Sequence, residues 1–242
     1  RSDAMAEKNR ETEQSTAALG SQIYEYVLSQ IIRVQMVPGE RINVAKIAGE
    51  LGVSRTPIRT ALEQLADDGH VIRTSDRGYQ VTPVSMQDCF NLCDARRMLE
   101  GTAAYMAANN IRAPELETLE RSIAGAKECL DRRDYDEFAE YDKLFHETLL
   151  RAANNHYLQM VYDTMDIRIQ RYRYIISGYC RSTAETDTGH ALEKHRCIYL
   201  AVKNRYSSVA RNEMEEHITY TYRTIFHLSS IIGADSGAAI KK

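Results

Sequence analysis

The chain reads as a mainly α protein of two domains: an N-terminal winged helix-turn-helix followed by an all-α bundle. Three observations lead there. Apolar residues recur at helical spacing through most of the 242 residues. Two short strand-like runs, Val71 to Arg73 and Tyr79 to Val81, flank the turn-rich Ser75-Asp76-Arg77-Gly78 and occur nowhere else. Pro83 then interrupts the pattern, and only helical periods follow. The expected organisation is a disordered segment 1–16, a winged domain 17–84, an all-helical domain 85–230 and a loose tail 231–242.

The first helix carries Ile23, Val27, Ile31 and Ile32, and Val37-Pro38-Gly39-Glu40 closes it. A short second helix follows Asn43, an N-cap residue type, and places Ile47, Ala48 and Leu51 inward. Gly52 supplies a tight turn, Ser54 an N-cap, and Pro57 sits in a first helical turn, where its missing N–H costs nothing. Ile58, Ala61, Leu62 and Leu65 then share one face. Arg55 and Arg59 lie on the other, near the positive helix N-terminus, where phosphates or guanine edges can be met. Periodicity alone would fit a surface helix with two solvated arginines; the flanking turn and wing distinguish a reading head.

In this stretch the chain resembles the GntR family of bacterial transcription regulators. The resemblance is carried by Pro38-Gly39-Glu40-Arg41, by Leu51-Gly52-Val53-Ser54-Arg55-Thr56-Pro57-Ile58-Arg59, and by Ala61-Leu62, Leu65, Gly69 and Gly78. It implies a DNA-contacting set of Arg41, Ser54, Arg55, Thr56, Arg59, Arg77 and Gly78. One departure is Ala45, where many family members carry an arginine.

Charge does not by itself indicate DNA. The chain has formal charge −3, and residues 20–84 hold seven basic against seven acidic side chains. Sequence-independent attraction is therefore modest, and a homodimer on a palindromic operator, which doubles the contacts, is expected. With no long apolar run and no signal-like N-terminus, the protein reads as soluble, membrane-free and cytoplasmic. Its five cysteines contain no C-x-x-C pair, which fits reduced thiols; Cys89 and Cys93, four apart, leave a redox role open.

Ser85 followed by Asp88 opens the second domain as a cap. Helices are expected near 86–109, 114–131, 134–153, 155–177, 186–203 and 206–230, with Pro114 at a start and Asn154-Asn155 and Ser177-Gly178 at ends. Polar residues interrupt their apolar stripes. Phe138, Asp142, Phe145 and Leu149 share one face, with His146 one turn on; Leu192, His195, Tyr199 and Val202 form a second, and Ala210, Met214, His217 and Thr221 a third. A buried carboxylate needs a partner, and Asp142, His146, His195 and His217 together form a four-ligand set for a divalent metal, zinc foremost, nickel or manganese otherwise. Satisfied core histidines are the alternative.

This half also resembles the FCD ligand-binding domain of the FadR subfamily, through Arg96-Arg97-Met98-Leu99-Glu100, Tyr141-Asp142-Lys143-Leu144-Phe145-His146, Asn155, His195-Arg196 and His217. The resemblance implies the same four metal ligands and a pocket for a small organic acid. Arg96 is the candidate to hold an effector carboxylate, or else a salt-bridge partner of Glu100 four residues on. Arg168 and Arg171 either line the pocket or lie on a solvated face. The expected function is a transcriptional regulator, a repressor, retuned by a carboxylate effector. A metal-dependent hydrolase is the alternative from another class, though Leu150 stands where an H-E-x-x-H motif needs its second histidine. A purely structural bundle is the other.

Overall fold

The computed structural model describes residues 18–183 and 187–232, with side chains described for 18–181 and 189–221. The expected disorder of 1–16 lies outside these residues. The chain divides into two compact units, one ending at Val84 and the other beginning at Ser85.

In the first unit, helix α1 (18–32) buries Ile23, Val27 and Ile31 along one stripe. Helix α2 (Val44–Leu51) is capped by Asn43, whose side-chain oxygen accepts from the Lys46 N–H at 3.0 Å. It ends at Gly52, whose φ of +66° is the left-handed conformation glycine tolerates best. Helix α3 (Arg55–Asp67) buries Ile58, Ala61, Leu62 and Leu65, all at the stripe positions expected. Strands β1 (Val71–Arg73) and β2 (Tyr79–Val81) pair antiparallel, Ile72 opposite Gln80. The outer edge of β2 is covered by the 39–42 segment: Ile42 N–H donates to Tyr79 O at 2.8 Å and Val81 N–H to Glu40 O at 2.9 Å. The Pro38-Gly39-Glu40-Arg41 turn thus anchors the wing as well as ending the first helical region.

Among the described residues the second unit comprises six helices: α4 (Met86–Asn110), α5 (Ala113–Arg132), α6 (Tyr135–Ala152), α7 (His156–Thr183), α8 (Asp187–Lys203) and α9 (Ser207–Ile232). Ser85 caps α4, its hydroxyl accepting from the Asp88 N–H at 3.2 Å. Helix α4 packs most extensively against α9 and also meets α6, α7 and α8, while α5 packs on α6 and α8. Small buried residues on α4, Gly101, Ala103, Ala104, Ala107 and Ala108, permit that close approach. Asn155 opens α7, its Oδ1 accepting from the Tyr157 and Leu158 N–H groups.

Two helix ends differ from expectation. Ser177-Gly178 does not stop α7, which runs to Thr183. Ser177 is buried, and its hydroxyl donates within the helix to Arg173 O (3.0 Å) or across to Tyr135 O (2.9 Å), so the pair is held in helix by packing against α6. Helix α9 continues through Ile232, past the expected start of the tail; residues 233–242 lie outside those described. All five cysteines are free, and Cys89 and Cys93 are both buried on α4.

Candidate metal centre and nucleic-acid interface

The first unit gathers the expected DNA-contacting residues around the start of α3 and the wing. Ser54 occupies the N-cap position, but its side chain makes no capping bond. Together with Arg55, Thr56 and Arg59 it is exposed, opposite buried Ile58. Arg59 reaches the wing: its Nη1 donates to Arg77 O at 3.4 Å, and its guanidinium lies 6.0 Å from the centroid of the Tyr79 ring. Arg77 adopts a left-handed φ of +62°. A Cβ at Gly78 would come within 2.8 Å of Thr74 Oγ1, so the side chains of the wing tip would have to shift to admit one. Arg41 pairs with Asp76, whose carboxyl is pulled down to about 2, first by the Thr74 hydroxyl and then by Arg41. Asp76, which positions Arg41 at the wing tip, was not singled out by the sequence, because a turn aspartate is common for conformational reasons alone.

In the second unit, α6 supplies Asp142 and His146, α8 supplies His195 and α9 supplies His217, and one ligand atom from each lies within 4.8 Å of all the others. His217 Nε2 stands 3.2 Å from both His146 Nε2 and His195 Nε2. Asp142 Oδ1 lies 3.4 Å from His195 Nε2 and 3.7 Å from His146 Nε2. Donors roughly 2.0–2.2 Å from one ion stand about 3.0–3.4 Å apart, so this spacing suits a single divalent metal. All three imidazoles are buried, and His217 Nδ1 has no hydrogen-bond partner.

Protonation follows from burial and neighbours. Burial pushes His195 down to about 3, despite the nearby Asp142 carboxylate. His217 is held well below the usual imidazole range, first by burial and then by His195 and His146. For His146 burial acts in the same sense but is outweighed by Glu100 and Asp142, and its pKa rises. Asp142 stays ionised: burial opposes this, and Arg173 and His146 more than compensate. Asp142 ionised and His195 and His217 neutral are the forms a metal ion requires, and His146 must give up its proton when the ion binds.

The surrounding contacts orient this set. Glu100 places Oε1 2.6 Å from Arg96 Nε and Oε2 2.5 Å from His146 Nδ1, a contact that directs His146 Nε2 toward the cluster. Arg173 Nε meets Asp142 Oδ2 at 2.5 Å. Arg96 and Arg173 both line a cavity with Asp142, His146, His217 and the apolar side chains of Phe138 and Ile176. Its water-accessible space is about 60 Å³, room for a few water-sized groups. Arg168 is exposed, and neither it nor Arg171 lines the cavity. The arginine the sequence reading missed is Arg173. The available signal was its place on the buried stripe of α7, four residues after Ile169 and four before Ser177.

Comparison with known proteins agrees with both halves. Residues 19–81 match the model of the gntR family of bacterial regulatory proteins, and residues 91–220 match the FCD domain. The HTH-type transcriptional repressor RspR of Escherichia coli is 26% identical over 206 residues, 84% of this chain and 87% of that protein. The gluconate operon transcriptional repressor of Bacillus licheniformis is 27% identical over 192 residues, 79% of this chain and 78% of that protein. In fold, the chain is similar to E. coli McbR/YncC, with a TM-score of 0.72 at 18% identity over 87% of this chain and 98% of that one. A winged reading head and a helical domain, each matched by its own family model, make this chain a member of the GntR family with an FCD domain: a DNA-binding transcription regulator, not an enzyme.

Proposed function

We propose that the protein is a homodimeric, cytoplasmic repressor that reads a palindromic operator and senses a small organic acid at a divalent metal. The observation that carries this reading is the Asp142, His146, His195 and His217 cluster, its three imidazoles buried and its carboxylate largely so, opening on a cavity with two guanidinium groups. Zinc fits the donor set best, with nickel and manganese also chemically suited. When bound, the ion adds positive charge to the cavity and so favours an anionic guest. The repressing sign rests on relatives such as RspR and the gluconate operon regulator, which are named as repressors.

Each chain carries one reading head, so a two-fold operator calls for a second copy. We assign that contact to the outer face of α7, where Tyr157, Met160 and Val161 are 77%, 50% and 50% exposed at helical spacing. A Val161→Asp variant should shift the solution mass toward the monomer; an unchanged dimer places the interface elsewhere.

Regulation requires that the acid bind the DNA-competent and incompetent arrangements unequally, with typical couplings of about 1–3 kcal/mol. The test is operator binding by fluorescence anisotropy at fixed salt, with zinc-loaded protein, across a series of short carboxylic acids. At least one acid should weaken operator binding in the wild type and do nothing in His195→Ala. Operator affinity indifferent to every acid would leave the helical domain a structural and dimerising block.

A further inference from the structure

Arg173 is used only in part by the metal site. Its side chain is 7% exposed and lies in the cavity wall beside Asp142, His146 and His217. The Nε is committed to Asp142 Oδ2 and the buried Tyr162 hydroxyl lies beside the guanidinium, yet Nη1 and Nη2 are matched by no second carboxylate and make no well-aligned hydrogen bond. A guanidinium keeps its charge at any physiological pH, and buried donors of a charged group call for acceptors. Arg96 is placed differently. Its charge is matched by Glu100, which also serves His146, so this guanidinium is built into the support of the metal ligands.

Charge counting sharpens the contrast. Arg96 and Glu100 cancel. Asp142 must serve both Arg173 and the ion, so a metal-loaded cavity carries surplus positive charge that an anion would offset. The remaining wall, Phe138, Ala139, Ile176 and Ala191, is apolar and suits a short hydrocarbon portion.

We propose that Arg173, rather than Arg96, is the anchor for the effector, presenting Nη1 and Nη2 as a two-pronged donor to the carboxylate of a short-chain acid. Asp142 holds the guanidinium from its Nε side and thereby fixes where the acid sits relative to the metal ligands. This inference rests on the acid-sensing role proposed above.

The test is calorimetric titration of the zinc-loaded full chain with acetate, pyruvate and malonate, with propionamide as the uncharged control. Wild type, Arg173→Gln, Arg173→Lys and Arg96→Gln are compared, and bound zinc is measured in each. An acid that binds the wild type should lose at least about tenfold in affinity in both Arg173 variants, and less in Arg96→Gln. Equal binding by wild type and the Arg173 variants, or a loss confined to Arg96→Gln, overturns the assignment while leaving acid sensing intact. Binding of propionamide as tight as that of the acids overturns it too. If no acid binds the zinc-loaded wild type, acid sensing itself fails, and this anchor with it. Should both variants fail to fold, the wild type labelled with ¹⁵N-arginine decides. A bound acid must shift a buried guanidinium signal that is still present in the Arg96→Gln spectrum, and an unmoved spectrum, or a shift confined to the signal lost in Arg96→Gln, contradicts the proposal.

Discussion

Arg173 Nε and Asp142 Oδ2 meet at 2.5 Å, joining α7 to α6 behind the carboxylate oxygen that faces the three imidazoles. Both side chains are largely withdrawn from water, so each depends on the other for charge balance. Asp142→Asn keeps the shape and removes the charge, stranding a buried guanidinium. In chelator-treated buffer, urea unfolding should show a loss of about 3 kcal/mol. Unchanged stability would mean that the pair is solvated and contributes little.

His195→Ala and His217→Ala should behave differently. Both histidines are held neutral in the folded protein, so removing either breaks no ion pair that the folded chain depends on. Each leaves a cavity whose cost is the same with or without metal. The informative quantity is the extra stability on adding zinc, about 2.7 kcal/mol at a hundredfold excess over Kd for a site bound only in the folded state. That increment should be present in the wild type and largely absent in both variants. An equal increment in all three places the ion elsewhere.

Much of this was legible in the sequence, because helical stripes report what faces inward. Ile58, Ala61, Leu62 and Leu65 predict the inner face of α3, leaving Arg55 and Arg59 outside, as found. Asp142, His195 and His217 stand in stripes otherwise filled by Phe145, Tyr199 and Met214, and the three helices bring them together. What a stripe cannot report is the neighbour across the gap. The Glu100 contact with His146 and the Arg173 contact with Asp142 join different helices, so no spacing within one helix announces them. Ser177-Gly178 misled for a related reason: a local breaker signal was overridden by the Ser177 hydrogen bond to Tyr135 O on α6.

At the reading head, Arg55→Ala and Arg59→Ala should each cost about 1–3 kcal/mol in specific operator binding. Arg59→Lys should also lose affinity, because a lysine cannot keep both the fork toward DNA and the reach to Arg77 O. Anisotropy at matched salt on a cognate operator is the measurement. Wild-type affinity in both alanine variants would remove α3 from the interface.

Val34 follows α1 with a left-handed φ of +56°, a conformation that a β-branched side chain resists. Val34→Gly should therefore stabilise the winged unit by about 1 kcal/mol in chemical denaturation, with operator affinity unchanged. A loss of stability would show that the valine side chain contributes more by packing than its backbone strains.

Metal content tests the central claim most directly. The full chain, purified without chelator and titrated with zinc, nickel and manganese, should bind one ion per Asp142–His146–His195–His217 cluster, and the His195→Ala/His217→Ala double variant should bind none. A wild-type chain that takes up no divalent metal under any of these conditions, or a double variant that binds as well as the wild type, would contradict it.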